Sequence, residues 1–139
     1  MNNPSQYAFI YRISPLWSDM DALGHINNAA YFTYFEQTRI AWLEQAGLLH
    51  YLNGRSDIGP VVVKTECTYK KAVVYPADLT ISMSVRDIGR SSFTTEYEIR
   101  DGAGDICTIG SAVTVWVDYK AEKSIPLPED VRGILPDLS

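Results

Sequence analysis

The sequence predicts an α+β fold in which a curled antiparallel five-stranded sheet wraps around one long central helix. Three features predict it. Residues 28–46 contain no Gly or Pro and are apolar over most of a helical circumference, the pattern of a helix buried on most sides. Several segments of two-residue alternation, each bounded by turn residues, come after it. One more alternating segment comes before it, so a single sheet closed over one helix satisfies every apolar face.

Residues 7–14 place Phe9, Tyr11 and Ile13 on one face and form the first strand, which Pro15 ends. A loop over 16–26 follows, in which Trp17 is assigned to packing. Asn27 or Asn28 is the expected N-cap, its side-chain oxygen accepting a free helical N–H. Gly47 is the expected C′ residue. Only Thr33, Gln37 and Glu44 make a polar stripe on the helix, and Glu36 and Arg39 are spaced for an ion pair. Residues 60–74 form a long β-branched strand, with Val63, Thr65, Cys67 and Tyr69 opposite Lys64, Glu66, Thr68 and Lys70. After the break at Pro76, Leu79, Ile81, Met83 and Val85 share one strand face. Residues 87–90 turn the chain into a strand carrying Phe93, Thr95, Tyr97 and Ile99. Asp101-Gly102-Ala103-Gly104-Asp105 is a hairpin signal, and 106–119 is the last strand. Pro126, Pro128 and Pro136 mark a tail with one helical turn near 129–133. Long β-branched sheet edges invite a second copy, so a homodimer through sheet edges, pairing further to a homotetramer, is expected.

A chain of 139 residues fits one domain spanning 1–139. Its net charge of -5 excludes the broad basic face that nucleic acid requires. An anionic ligand would instead need a local group of cations. Cys67 and Cys107 lack Cys-x-x-Cys spacing and are expected as free, partly buried thiols. No signal-peptide pattern and no membrane span is legible, so a cytoplasmic protein without a cofactor or metal is expected.

The run from Trp17 to Glu36 sets Asp19, Asp21, His25, Asn27 and Asn28 just ahead of the helix. A helix start offers unpaired N–H groups and a positive dipole end, both suited to an oxyanion. A carboxylate opposite those donors can attack a carbonyl or activate water. Asp and Asn are equally ordinary turn and cap residues, so on the residues alone both readings stand.

The run resembles the signature of the hotdog-fold thioesterases of the 4-hydroxybenzoyl-CoA and acyl-CoA group. Here it reads Asp19-x-Asp21-x-x-Gly24-His25-Ile26-Asn27-Asn28, then Tyr31 and an aromatic-rich helix, with Ile26 where Val is usual. The resemblance implies a hotdog fold and an acyl-CoA thioesterase that releases a free acid and CoA. It implies Asp21 as nucleophile or general base and the backbone N–H near Asn28 as the donor that polarises the carbonyl. His25 and Asn27 would shape the site, Gly24 would allow close approach, and Asp19 would fix the loop. Among the candidate cations Lys64, Lys70, Lys71, Arg86 and Arg90, Lys64 and Arg90, with Ser91 and Tyr31, are the expected substrate contacts. The substrate partner would be a thioester of coenzyme A or of acyl carrier protein. Two other functions belong to the same fold: a hydratase/dehydratase using His25, and a non-catalytic acyl-CoA-binding protein. Glu36 is a rival carboxylate, because another architecture of the family uses a mid-helix Glu.

Overall fold

The computed structural model describes residues 7–136. In chain order it contains β1 (Phe9–Ile13), α1 (Ala30–Gln45), β2 (Ile58–Tyr69), β3 (Leu79–Arg86), β4 (Ser92–Arg100), β5 (Ile106–Asp118), β6 (Lys123–Ser124) and α2 (Glu129–Arg132). All strand pairs are antiparallel, in the order β1-β3-β4-β5-β2, and β6 adds to β5. The expected five strands are therefore present. The sixth, two residues paired with Val117 and Asp118, is too short to show any alternation.

The alternating side chains decide which sheet face meets α1. Leu79, Ile81, Met83, Phe93, Tyr97, Ile99, Ala112 and Trp116 are buried together with Tyr34, Phe35, Trp42 and Leu43 of the helix. Phe35 stacks on Tyr97 with ring centroids 4.6 Å apart. A Cβ on Gly110 would lie 2.4 Å from the Phe35 ring, so the missing side chain on β5 is what lets the ring settle on the sheet. The sheet covers only one side of α1: Phe32 and Ile40 remain exposed on the other. This is the curled sheet around one long helix that the sequence predicts, with the helix lying in an open half-barrel.

Several boundaries differ from expectation. Neither Asn27 nor Asn28 is the N-cap; the helix starts at Ala30, after Ala29, without a side-chain cap. The Asn27 carboxamide instead accepts the Ala29 N–H at 2.8 Å and the Asn27 carbonyl accepts the Ala30 N–H at 2.9 Å, so the capping chemistry acts one turn early. Gly47 does close the helix, at φ +78. Its N–H donates to the Glu44 carbonyl and the Leu48 N–H to Leu43, the paired bonds of a Schellman motif. β2 begins before Pro60 and stops at Tyr69, because the Lys70 and Lys71 N–H groups both turn onto the Cys107 carbonyl. Glu36 and Arg39 do not pair; Arg39 donates to the Tyr97 hydroxyl at 3.1 Å. Cys67 and Cys107 are free, half-buried and buried respectively.

β2 is a sheet edge, and its apolar residues Val61, Val62 and Val63 stand exposed, Val63 by 60%.

Candidate active site

The loop ahead of α1 is a tight hairpin of its own. Met20 and Ile26 bridge, the Asp21 N–H donates to the His25 carbonyl, and the Gly24 N–H returns to the Asp21 carbonyl. Gly24 holds φ +86, a conformation that any other residue adopts at a cost. The Asp21 carboxylate accepts the Leu23 N–H at 2.9 Å, an Asx turn. The Asp-x-x-Gly spacing thus has a conformational origin: Asp opens the turn and Gly closes it. Asp21 remains half-buried, with one carboxylate oxygen used by that bond.

Asp19 anchors the loop. Its carboxylate accepts the Leu16 N–H at 2.9 Å and the Tyr34 hydroxyl at 2.8 Å, tying the loop to α1. Burial first, and then the Asp19 charge, push the Tyr34 phenol well above its ordinary value. The Ile26 N–H donates to the Val73 carbonyl and the Asn27 N–H to Asp19, fixing the segment from both sides. Trp17 does not pack: it is 73% exposed, because the short helical turn Trp17–Asp19 points it outward from the loop.

At the helix start the Asn28 carbonyl accepts the Tyr69 hydroxyl at 2.9 Å. Among the described residues the Asn28 backbone N–H donates to no acceptor. Asn28 borders a cleft of about 330 Å³ that His25, Tyr31, Tyr69, Lys70 and Lys71 also line. Tyr31 meets Tyr69 edge to face at 5.6 Å. Burial raises the Tyr31 phenol, and burial with the neighbouring Cys67 pushes Tyr69 up to about 12, so both are neutral near pH 7. Lys71 is held by Asp101 and Asp105, which leaves Lys70 as the cleft's cation without an ion pair among the described residues.

The structure brings His25, Asn28 and Tyr31 to one cleft, with Asn27 and Gly24 in the adjoining backbone and Asp21 on the turn that feeds it, outside the cleft wall. It does not bring the other expected contacts there. Lys64 pairs with Glu66 at 3.0 Å and lies roughly 17 Å along β2 from Tyr69. Arg90 and Ser91 precede β4, whereas Tyr69 stands in the row of Thr108 and Ile99. Ser92, the first residue of β4, is already roughly 23 Å from that row along the strand at about 3.3 Å per residue. Glu36 is exposed, on the second turn of the helix. Sequence reading passed over Tyr69, placing it only on a strand face, since nothing in its spacing signals that its hydroxyl reaches back to residue 28.

Residues 15–135 match the family model of the thioesterase-like superfamily. The chain belongs to that superfamily. This member is a thioester hydrolase on a hotdog fold. It is 25% identical over 120 residues to the long-chain acyl-CoA thioesterase FadM of Escherichia coli, covering 86% of this chain and 90% of FadM. Among solved structures, the PA2801 protein of Pseudomonas aeruginosa superposes with a TM-score of 0.85 at 32% identity, over 92% of this chain and 98% of its own. A 1,4-dihydroxy-2-naphthoyl-CoA thioesterase from Synechocystis superposes at 0.87 with 17% identity, over 94% and 96% of the two chains, a likeness of fold. In this superfamily member the matched region holds every residue of the loop hairpin and the cleft.

Proposed function

We propose that this thioesterase hydrolyses an acyl-CoA, or an acyl carrier protein thioester, at the start of α1. The observation that carries the reading is that Asn28, a residue lining the cleft, has a backbone N–H unengaged among the described residues, a few residues after the Asp21 turn. A thioester carbonyl seated on that N–H gains a fixed donor aligned with the positive end of α1, and the charge developing on its oxygen is stabilised there. Asp21, with one carboxylate oxygen unbonded, either attacks the carbonyl carbon, expelling CoA thiolate and leaving a mixed anhydride that water then cleaves to the acid and the free carboxylate, or deprotonates a water that attacks the carbonyl and expels the thiolate. In either route the C–S bond breaks to a thiolate, so no strong general acid is needed. His25 and Asn27 shape the approach, and Lys70 supplies a cation beside the cleft that the sequence reading ranked below Lys64.

Arg90 and Ser91, as nucleotide contacts, serve a site only across two copies. The exposed β2 edge supports a homodimer, whose pairing to a homotetramer and location in the cytoplasm complete the proposal.

The test is release of free thiol from a panel of acyl-CoAs by wild type and Asp21→Asn. Asn keeps an oxygen to accept the Leu23 N–H, so the turn survives while the charge is removed. The expected loss in kcat is roughly 10²- to 10⁴-fold, with an unchanged melting temperature. Full turnover by D21N would remove Asp21 from the chemistry, and no turnover by wild type on any thioester would remove the function.

A further inference from the structure

The turn that carries Arg90 and Ser91 is held by the C-terminal part of the chain, through α2. Three successive residues of that helix have separate anchors. Asp130 accepts the Tyr51 hydroxyl at 2.6 Å and lies 3.2 Å from a ring nitrogen of His50, both on the short helical turn after α1. Val131 is fully buried. Arg132 is exposed and donates from Nη2 to the carbonyls of Gly89 at 2.9 Å and Arg90 at 3.1 Å. The Arg90 carbonyl also accepts the Leu127 N–H, and the Ser91 carbonyl the Trp116 N–H, each at 2.8 Å. Among the described residues the backbone N–H groups of Arg90 and Ser91 have no acceptor.

These bonds fix the direction of two peptide units. In a trans peptide the N–H points opposite to the C=O of the same plane. The Gly89 carbonyl shares its plane with the Arg90 N–H, and the Arg90 carbonyl with the Ser91 N–H. One nitrogen of Arg132 gathers both carbonyls, so both N–H groups are turned to the side away from it. Successive N–H groups on one side of a turn suit an anion. The Arg90 guanidinium, whose Nη1 lies 3.3 Å from Ser91 Oγ, adds a charged donor to the same turn. Bonds from an exposed side chain to surface carbonyls contribute little to folding, because water replaces them when they are lost. What they do set is the direction in which the turn presents its donors.

We propose that Arg132 is a positioning residue for the nucleotide end of the substrate: it acts through the 89–91 turn, which it orients toward a phosphate, and makes no substrate contact of its own. This rests on the thioesterase reading above, with Arg90 and Ser91 as nucleotide contacts. It brings into recognition a segment that the sequence marks only as a proline-bounded tail.

The experiment places one acyl group on two thiols, coenzyme A and N-acetylcysteamine, the second of which ends short of the nucleotide and its phosphates. Wild type, Arg132→Met, Arg90→Met and the double variant are compared. In R132M the KM for acyl-CoA should rise roughly fivefold to tenfold with kcat held. Its kcat/KM on the N-acetylcysteamine thioester should match wild type, and its melting temperature should barely move, since Asp130 and Val131 still anchor α2. The penalties of R90M and R132M should be less than additive in the double variant, as when one residue acts through another. Equal losses on both thioesters would make Arg132 merely structural, an unchanged KM for acyl-CoA would leave it without a role, and full additivity would make it an independent contact; each result overturns the proposal. Calorimetric titration with free CoA needs no turnover, and wild type should bind it roughly fivefold to tenfold more tightly than R132M. If wild type hydrolyses neither thioester, the thioesterase reading fails, and that difference in CoA binding still upholds the role of Arg132. Equal binding of CoA by the two proteins, or none by either, overturns it.

Discussion

At the residue scale, Asp21 and Tyr69 each hold backbone of the proposed site in place. Asp21 opens the turn through its bond to Leu23, in the loop that leads into the helix. The motif is legible in sequence because Asp and Gly are each required by a local backbone geometry, and local geometry leaves a spacing signature. Tyr69 leaves none. Its hydroxyl reaches across from the end of β2 to the Asn28 carbonyl, a contact set by the sheet's register and invisible to any window of the sequence. Tyr69→Phe removes that bond and leaves a solvent-facing carbonyl that water can satisfy. Stability should therefore change little, while the peptide bearing the proposed oxyanion donor loses a restraint. The expected result is a kcat reduced about 5- to 10-fold with KM nearly constant, measured on whichever acyl-CoA wild type turns over. An equal rise in KM with kcat intact would show that Tyr69 contacts the substrate and leaves the donor's geometry untouched.

At the scale of elements, the alternation of β3, β4 and β5 determined the sheet, because each of those strands has one face against α1 and one facing out. β2 was harder to bound. Its burial pattern is almost wholly exposed, so no alternation marks where pairing with β5 stops, and the strand was read past Tyr69. The helix N-terminus was misplaced because two adjacent Asn residues compete as caps and the one that acts does so from a turn outside the helix. Packing between elements gives a sharp expectation at Gly110. A methyl group there would clash with the Phe35 ring and lie 2.8 Å from the Glu66 carbonyl, so Gly110→Ala should destabilise by about 1–3 kcal/mol in chemical denaturation. A milder loss would mean that Phe35 can leave Tyr97 at little cost. The contact between α2 and the turn after α1 depends on pH. The Tyr51 hydroxyl and, next, His50 hold the Asp130 carboxyl below its ordinary value, while burial and then Asp130 push Tyr51 up to about 12. A lowered acid stabilises the fold above its unfolded value near 3.9, and that contribution fades as pH falls through the lower folded value. The melting temperature of wild type should thus exceed that of Asp130→Asn at neutral pH. The gap should close below about pH 4, as followed by thermal melts; a gap independent of pH would assign the effect to packing.

For the whole molecule, the decisive feature is that one chain holds its candidate groups at opposite ends of the sheet. Asn28 and Lys70 stand where β2 ends; Arg90 and Ser91 stand beside Ser92, in the row of Val115 and Val61 near the start of β2. In the proposed dimer a two-fold axis across antiparallel β2 edges would exchange those ends, and an axis near Thr65 would set the Val61 row of one copy opposite the Tyr69 row of the other. The exposed valines of the edge would be buried in the same step, so under the proposed dimer the apolar effect that joins the copies would also assemble the site. Assembly and activity should then fail together. Val63→Lys puts a charge on the edge at the position where its register with β5 shifts, and Val63 is not among the residues that line the cleft. Light scattering coupled to gel filtration should show twice the 15.6 kDa chain mass, or four times that mass, for wild type and a single chain for V63K. The variant's kcat/KM on acyl-CoA should drop by roughly 10²-fold as the nucleotide contacts are lost. A monomeric V63K with wild-type kcat/KM would show that each chain works alone and that Arg90 and Ser91 have no part in binding.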